Sequence, residues 1–242
     1  MSAYHNFMFI GLPYMAAVVF VVVTIYRFRS APYKISSLSS QFLEGKLLFW
    51  GSVPFHTGMG VVFIGHLIAF LIPGTLLTWN SYPLRLIILE VTGFAFALSF
   101  LFGLVVLFIR RVTNARIRVV TSWMDILIEL LLLYQVASGC IVAVKYRWGS
   151  SWFASDMAPY LWSLVKLDPH IDAVKTMPPI IQSHVVVAFI IIFIFPFTRL
   201  IHFFAAPVGY FFRPYQQVIW NWNRKTINRP DSAWTKHKPK NT

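Results

Sequence analysis

The sequence predicts an all-α protein: a five-helix transmembrane bundle that forms a single domain over residues 1–242. Hydrophobic residues make up 57% of the chain and charged residues only 12%, a balance unlike that of soluble domains. Five apolar runs are each long enough to cross a bilayer, which takes about 20 helical residues. Because a backbone in lipid must satisfy its own hydrogen bonds, we expect helices. The predicted helices are 8–27, 48–72, 84–109, 123–144 and 180–205.

The first of these helices is expected to stay in the mature protein. The segment Met1–Phe7 before it lacks the basic residues that open a signal peptide, and no small-residue cleavage site follows the apolar run. Three basic residues come after the helix instead: Arg27, Arg29 and Lys34. This order favours an N-terminus outside the cytoplasm.

The other charges favour the same orientation, with the C-terminus in the cytoplasm. Basic residues concentrate in the loops 28–47 and 110–122 and in the tail 207–242, and the positive-inside rule places such segments on the cytoplasmic side. The net charge of +13 therefore follows from membrane topology, and nucleic acid is a poor alternative partner. The tail either docks a partner subunit or contacts lipid headgroups. The long outer loop 145–179 is rich in tryptophan, and we expect short helical pieces there.

Four histidines lie inside two of the apolar segments. His56 and His66 lie in the second predicted helix, and His184 and His202 in the fifth. An ionisable residue within a membrane span is a functional-site hypothesis by default, because its burial is costly. In antiparallel helices the four would form two pairs, His56 with His202 toward the cytoplasm and His66 with His184 toward the outside.

The spacing of these histidines is unequal in the two helices. Ten residues separate His56 from His66, which is roughly 15 Å in a straight helix, while the eighteen residues between His184 and His202 would span roughly 27 Å. Tilt or bending would have to absorb a difference of about 12 Å.

Haem iron suits such pairs, because two neutral imidazoles favour single-electron transfer. Zinc would gather its ligands at one point instead. The only cysteine is Cys140, so any haem is held non-covalently, and the chain can hold no iron–sulfur cluster. We therefore expect two b-type haems. Near the histidines, Gly58, Gly60 and Gly65 would allow either a flat macrocycle or a neighbouring helix to approach closely.

These segments resemble the cytochrome b (gamma) subunit of respiratory nitrate reductase, over about residues 8 to 220. The resemblance rests on the stretches FHTGM (55–59) and FIGH (63–66), the pair RR (110–111), the start of the fourth helix (121–127), and PFTRLIH (196–202) with the residues that follow it.

The resemblance implies a direction of electron flow and a set of partners. Members of the family oxidise quinol near the outer haem. The electrons then pass to the inner haem, to a cytoplasmic iron–sulfur subunit and to a molybdenum catalytic subunit. By position, His66 and His184 would bind the distal haem, and His56 and His202 the proximal haem. The location implied is the cytoplasmic (inner) membrane, where the chain is multi-pass.

The resemblance also implies a quinol site, with Gly65 and Arg85 as candidates. Arg85 stands near the position of a family lysine, and the segment Gln182–His184 departs from the family's Arg-Leu-His. Arg111 and Arg199 would either pair with haem propionates or act as positive-inside anchors.

Two alternatives remain open for the role of Glu90, and several remain open for the function of the chain. Glu90 would either relay protons outward or be a hydrogen-bonded structural acid. The same architecture could serve a nitrite-oxidising complex, with electrons flowing in the opposite direction. From other classes, the chain could be a transporter, although no internal repeat is visible, or a haem-free membrane anchor.

Overall fold

The computed structural model describes residues 2–31, 35 and 39–205, which contain helices and no strand. Five helices are long and apolar enough to cross a membrane, as predicted. They are α1 (Ala3–Ser30), α2 (Lys46–Leu71), α3 (Pro83–Thr113), α4 (Trp123–Lys145) and α5 (Pro179–Phe197). The predicted basic tail, 207–242, lies outside the described residues.

Local sequence signals explain where three of these helices begin. Pro83 and Pro179 occupy the first positions of α3 and α5, where a residue without an N–H leaves no helical hydrogen bond unmade. A capping box opens α4: the Ser122 hydroxyl accepts from the Asp125 N–H at 3.2 Å, and the Asp125 carboxylate accepts from the Ser122 N–H at 2.8 Å.

Glycines bring α2 and α3 into close backbone contact. A Cβ built on Gly58 would lie 2.5 Å from the backbone nitrogen of Phe100, and one on Gly103 would lie 2.4 Å from that of Phe55. Phe55 and Phe100 are themselves buried in a core cluster with Leu104 and Val136. Of the two roles that the sequence allowed for Gly58, approach of a macrocycle or approach of a helix, the structure therefore shows the second.

Ion pairs and hydrogen bonds gather the ends of the five helices at one end of the bundle, here called the arginine-rich end. The contacts are Arg27 to the Pro196 carbonyl, Arg110 to Glu44, Arg111 to Glu129 and Arg199 to Asp125. They join the C-terminal ends of α1, α3 and α5 to the N-terminal ends of α2 and α4. Neighbouring helices along the chain therefore run antiparallel.

The opposite end is covered by short helical segments, which confirms the prediction for loop 145–179. Tyr160 donates to the Phe9 carbonyl at 2.7 Å, and Trp162 donates to the Phe70 carbonyl at 2.8 Å. The segments are Pro73–Asn80 before α3, and Gly149–Trp152, Phe153–Met157, Ala158–Val165 and Asp172–Thr176 before α5.

The prediction of one continuous fifth helix over 180–205 is wrong. The α-helical part of α5 ends at Ile194. Pro196 has no N–H to continue the ladder, and Thr198 has extended backbone angles (φ −102°, ψ 176°). Two 3₁₀ segments follow, Phe195–Phe197 and Arg199–Ala205. His202 therefore lies beyond a break and on a separate segment.

Candidate haem sites

The two histidines predicted to form the inner pair meet at the arginine-rich end. The ring centres of His56 and His202 are 6.4 Å apart, and their planes are inclined by 74°. The spacing of roughly 27 Å between His184 and His202 assumed one straight helix. The break before Arg199 puts the two residues on separate segments, so that spacing does not apply.

The separation of His56 and His202 suits a metal held between two imidazoles. A metal–imidazole bond is about 2 Å long, and the centre of a five-membered ring lies slightly less than one covalent bond length behind its nitrogen. Two imidazoles on opposite sides of one metal ion would therefore have centres about 6 Å apart. The observed 6.4 Å agrees with that value.

Three of the four histidines are held in the tautomer that ligates metal through Nε2. Each Nδ1 faces a backbone carbonyl three or four residues earlier in the chain. Because a carbonyl only accepts hydrogen bonds, Nδ1 must carry the proton and Nε2 the lone pair. The Nδ1–oxygen distances are 2.8 Å from His56 to Ser52, 2.8 Å from His66 to Val62 and 2.6 Å from His202 to Arg199.

The fourth histidine, His184, is held by side chains of α4 instead. Its Nδ1 lies 2.9 Å from the Ser138 hydroxyl, and its Nε2 lies 3.1 Å from the side-chain nitrogen of Gln135. His66 interacts electrostatically with His184, and their role as a pair of ligands stays a prediction. Sequence reasoning missed Gln135 and Ser138, although two polar residues three positions apart in an apolar helix are a recognisable signal.

The residues before His184 support α5 at its start. Gln182 donates to the carbonyls of Lys175 and Met177, at 3.0 and 2.8 Å. Ser183 accepts from the Tyr134 hydroxyl of α4 at 2.7 Å. Gln182 and Ser183, which depart from the family pattern, therefore contact the loop before α5 and helix α4.

The surroundings of His56 and His66 suit a flat macrocycle better than a compact metal centre. Both side chains are exposed, and a Cβ placed on Gly60 or Gly65 would meet nothing within 4 Å. No group of three or more His, Cys, Asp or Glu side chains able to hold a metal ion occurs among residues 2–31, 35 and 39–205. Paired histidines are a donor set that haem accepts, and the assignment of these four to two haem sites stays a prediction.

The two arginines proposed to pair with haem propionates lie in a charge cluster at the arginine-rich end. Arg111 Nε lies 2.6 Å from Glu129, and Arg199 Nε lies 2.8 Å from Asp125. Both acids are about 95% buried, whereas the Arg111 and Arg199 side chains are 25% and 28% exposed. The Arg199 carbonyl also accepts a hydrogen bond from Nδ1 of His202. The charge cluster therefore helps to fix the position of His202. A role toward propionates stays a prediction.

At the other end of the bundle lie the quinol-site candidate Arg85 and the acid Glu90. The Arg85 guanidinium lies over the rings of Trp79 and Tyr82, 5.0 and 4.4 Å from their centres. Such cation–π contacts orient a guanidinium without consuming its hydrogen-bond donors. Glu90 accepts from the N–H and hydroxyl of Ser150 at 2.8 and 2.6 Å, which favours the structural role for this acid.

Comparison of the sequence with known proteins identifies the family of this chain. A family model described as the nitrate reductase gamma subunit matches residues 5–221. The nitrate reductase gamma chain of Bacillus subtilis (strain 168) is 31% identical, over 84% of this chain and 93% of its own length. The respiratory nitrate reductase 1 gamma chain of Escherichia coli (strain K12) is 30% identical, over 90% and 98%. The nitrate reductase-like protein NarX of Mycobacterium tuberculosis (strain H37Rv) is 30% identical over 84% of this chain, which matches 32% of that relative. This chain, a multi-pass membrane protein, therefore belongs to the nitrate reductase gamma subunit family.

Proposed function

We propose that this chain is the quinol-oxidising membrane subunit of a nitrate reductase complex and that it binds two b haems. His66 and His184 would hold the distal haem, and His56 and His202 the proximal haem. Quinol would be oxidised at the outer side, and the electrons delivered inward to a cytoplasmic iron–sulfur subunit and its molybdenum partner. Family membership supports a subunit of an oxidoreductase complex, and the rest is our proposal.

The observation that carries the proposal is the separation of 6.4 Å between the His56 and His202 rings, with both Nδ1 atoms engaged by carbonyls. A structural histidine needs only a hydrogen-bond partner. These two have such partners on one nitrogen, and within the described residues neither Nε2 takes part in a hydrogen bond. Two such nitrogens on neighbouring segments form a ligand pair.

Bound between these histidines, haem supplies a carrier of single electrons at each end of the bundle. The chain itself positions the imidazoles and, at His56, His66 and His202, fixes the tautomer through backbone carbonyls. Arg85 would donate hydrogen bonds to a quinol oxygen at the outer end, with Gly65 leaving room for the ring beside His66. Because oxidation of a quinol releases two protons along with two electrons, outward release of the protons and inward movement of the electrons would build membrane potential. Moving one elementary charge across the membrane stores about 2.3 kcal/mol for each 100 mV of membrane potential.

The arginine-rich end is where we expect the cytoplasmic subunits to bind, together with the basic tail 207–242. The basic residues of the loop 110–122 lie at this end of the bundle, next to the ion pairs of Arg111 with Asp125 and Glu129. An acidic surface on the iron–sulfur subunit would complement them.

Reduced-minus-oxidised optical spectra of the purified complex test the proposal. The wild type should show b-type bands from two haems. His66→Ala should remove the distal haem and spare the proximal one, and His202→Ala should do the reverse. His170→Ala is a matched control, because His170 is an exposed loop histidine whose side chain pairs with Asp168.

Three results would contradict the proposal. The absence of b-type bands would exclude the haems, and equal loss of both haems in each variant would exclude separate sites. A distal haem that quinol fails to reduce, with a potential well above that of the quinone pool, would favour the opposite direction of flow, as in a nitrite-oxidising complex.

A further inference from the structure

We propose that Ser138 of α4 is a positioning residue for His184: its hydroxyl fixes the tautomer and orientation of the distal ligand from the neighbouring helix. The inference rests on the proposed function, in which His184 binds the distal haem. It concerns a residue of α4, a helix that contributes no haem ligand in that proposal.

His184 differs from the other three histidines because it lacks a carbonyl partner on its own helix. In the others, Nδ1 donates to a carbonyl three or four residues earlier. For His184 the corresponding carbonyl belongs to Ile180, and it already accepts from the Ser183 hydroxyl at 2.9 Å. Ser138 provides the missing acceptor at 2.9 Å from Nδ1.

The hydrogen bonds around Ser138 define the direction of its contact with His184. The Ser138 hydroxyl donates its single proton to the Gln135 carbonyl at 3.0 Å. Toward His184 it can therefore only accept, so the proton lies on Nδ1. The Gln135 amide nitrogen, a donor, lies 3.1 Å from Nε2, which requires a lone pair there. Both contacts specify the same tautomer, with Nε2 as the ligating nitrogen.

The packing around this contact is close and dry. Ser138 is 2% exposed. A Cβ built on Gly139 would lie 3.1 Å from Cε1 of His184, so the absence of a side chain there lets the imidazole approach α4. Inside such an interface a hydrogen bond is stronger than in water, and water cannot replace it when it is lost.

Ligation through Nε2 requires Gln135 to give up its contact, whereas the Ser138 contact on Nδ1 can persist. Oε1 of Gln135 is buried and has no hydrogen-bond partner in the described part of the chain. The Gln135 amide is therefore the less firmly held of the two groups, and Ser138 is the one expected to stay with the haem ligand.

An acceptor on Nδ1–H makes an imidazole a more basic ligand and fixes its ring orientation. A more basic ligand stabilises ferric over ferrous iron, so loss of the Ser138 hydroxyl should raise the potential of the distal haem. Loss of such a partner typically costs about 10- to 100-fold in metal affinity. A tenfold change that falls on the ferric state alone corresponds to about 59 mV for a one-electron couple.

The experiment compares Ser138→Ala and Ser138→Thr with a matched control at the proximal site, Ser52→Ala. The Ser52 hydroxyl also lies 3.1 Å from a ligand histidine, Nδ1 of His56, but the Ser52 carbonyl lies closer, at 2.8 Å. The side chain of Ser52 should therefore be dispensable. Each complex is assayed in membranes by potentiometric titration, with optical spectra and low-spin haem EPR as readouts, together with haem content.

We expect Ser138→Ala to raise the distal potential by on the order of 59 mV, to loosen the distal haem and to leave the proximal haem unchanged. Ser138→Thr, which keeps the hydroxyl, should restore wild-type values, and Ser52→Ala should match the wild type. An unchanged distal haem in Ser138→Ala would overturn the inference alone, as would a Thr variant as impaired as Ala or an equal shift in Ser52→Ala. A wild type without b haems would overturn the proposed function and this inference with it.

Discussion

A single methyl group at Gly103 should separate α2 from α3 and disturb the proposed haem site on α2. A Cβ at this position would lie 2.4 Å from the backbone nitrogen of Phe55 and 2.6 Å from the Gly51 carbonyl oxygen. Ordinary contact needs about 3.5 Å, so the two backbones must move apart by about 1 Å. Neither neighbour is the flexible end of a side chain. His56 follows Phe55 directly and would move with it.

The cost of this movement follows from overpacking. Extra methyl groups in tightly packed interiors typically cost about 1–3 kcal/mol, whereas Ala in place of Gly contributes roughly 1 kcal/mol to a helix interior. We expect Gly103→Ala to have a net cost and to weaken binding of the proximal haem. Gly93→Ala is the matched control on the same helix, because a Cβ there would meet nothing within 4 Å. It should stabilise the protein by up to about 1 kcal/mol.

The assay is unfolding of the detergent-solubilised protein with SDS, followed by far-UV circular dichroism, with haem content measured from optical spectra. Opposite signs of the change in unfolding free energy for the two variants are expected. If Gly103→Ala were as stable as Gly93→Ala and kept both haems, the close contact between α2 and α3 would not control the position of His56.

Three further predictions concern charged residues. Asp125→Asn should remove the buried partner of Arg199, at a cost of about 3–5 kcal/mol for a broken buried pair, and haem content should show preferential loss of the proximal haem. Arg85→Ala should lower quinol-driven nitrate reduction while haem spectra and reduction of nitrate by a small artificial electron donor stay normal. Burial alone would raise the pKa of Glu44, but the Arg110 guanidinium and neighbouring N–H groups outweigh it and lower the pKa from 4.5. The stability that this pair provides should be complete above pH 4.5 and be lost as the pH falls through the lowered pKa, and Glu44→Gln should abolish that component of a thermal-stability profile.

The five spans and the approach of His56 to His202 could be predicted because they depend on properties that lie along one chain segment. Length and hydropathy define a span, and position within a span defines depth in the membrane. The rotation of each helix about its axis does not follow so directly. Gly58 and Gly60 lie about 200° apart around α2, so that Gly58 packs on α3 while Gly60, one turn from His56, shares the histidine face.

The break in the fifth helix shows where hydropathy alone misleads. The apolar run continues through Pro196, and helices in membranes tolerate proline when other groups satisfy the backbone. Here the Pro196 carbonyl accepts from Arg27 on α1, a contact across 169 positions that no local pattern contains. The contribution of Ser138 was missed for the same reason, because only the packing of α4 on α5 brings its hydroxyl to His184.

His184 is held by different means from the other three histidines, and in the proposed function this difference has a consequence. In the proposed proximal pair, His56 and His202 both donate to backbone carbonyls, and the segment of His202 is tied to Asp125 through Arg199. In the proposed distal pair, His66 donates to the Val62 carbonyl, whereas Nδ1 of His184 lies 2.9 Å from the Ser138 hydroxyl. Substitutions at the interface of α4 and α5 can therefore change one site while leaving the other intact. The proposed transfer of electrons from the distal to the proximal haem needs two potentials that are set separately, and each proposed site has its own set of contacts.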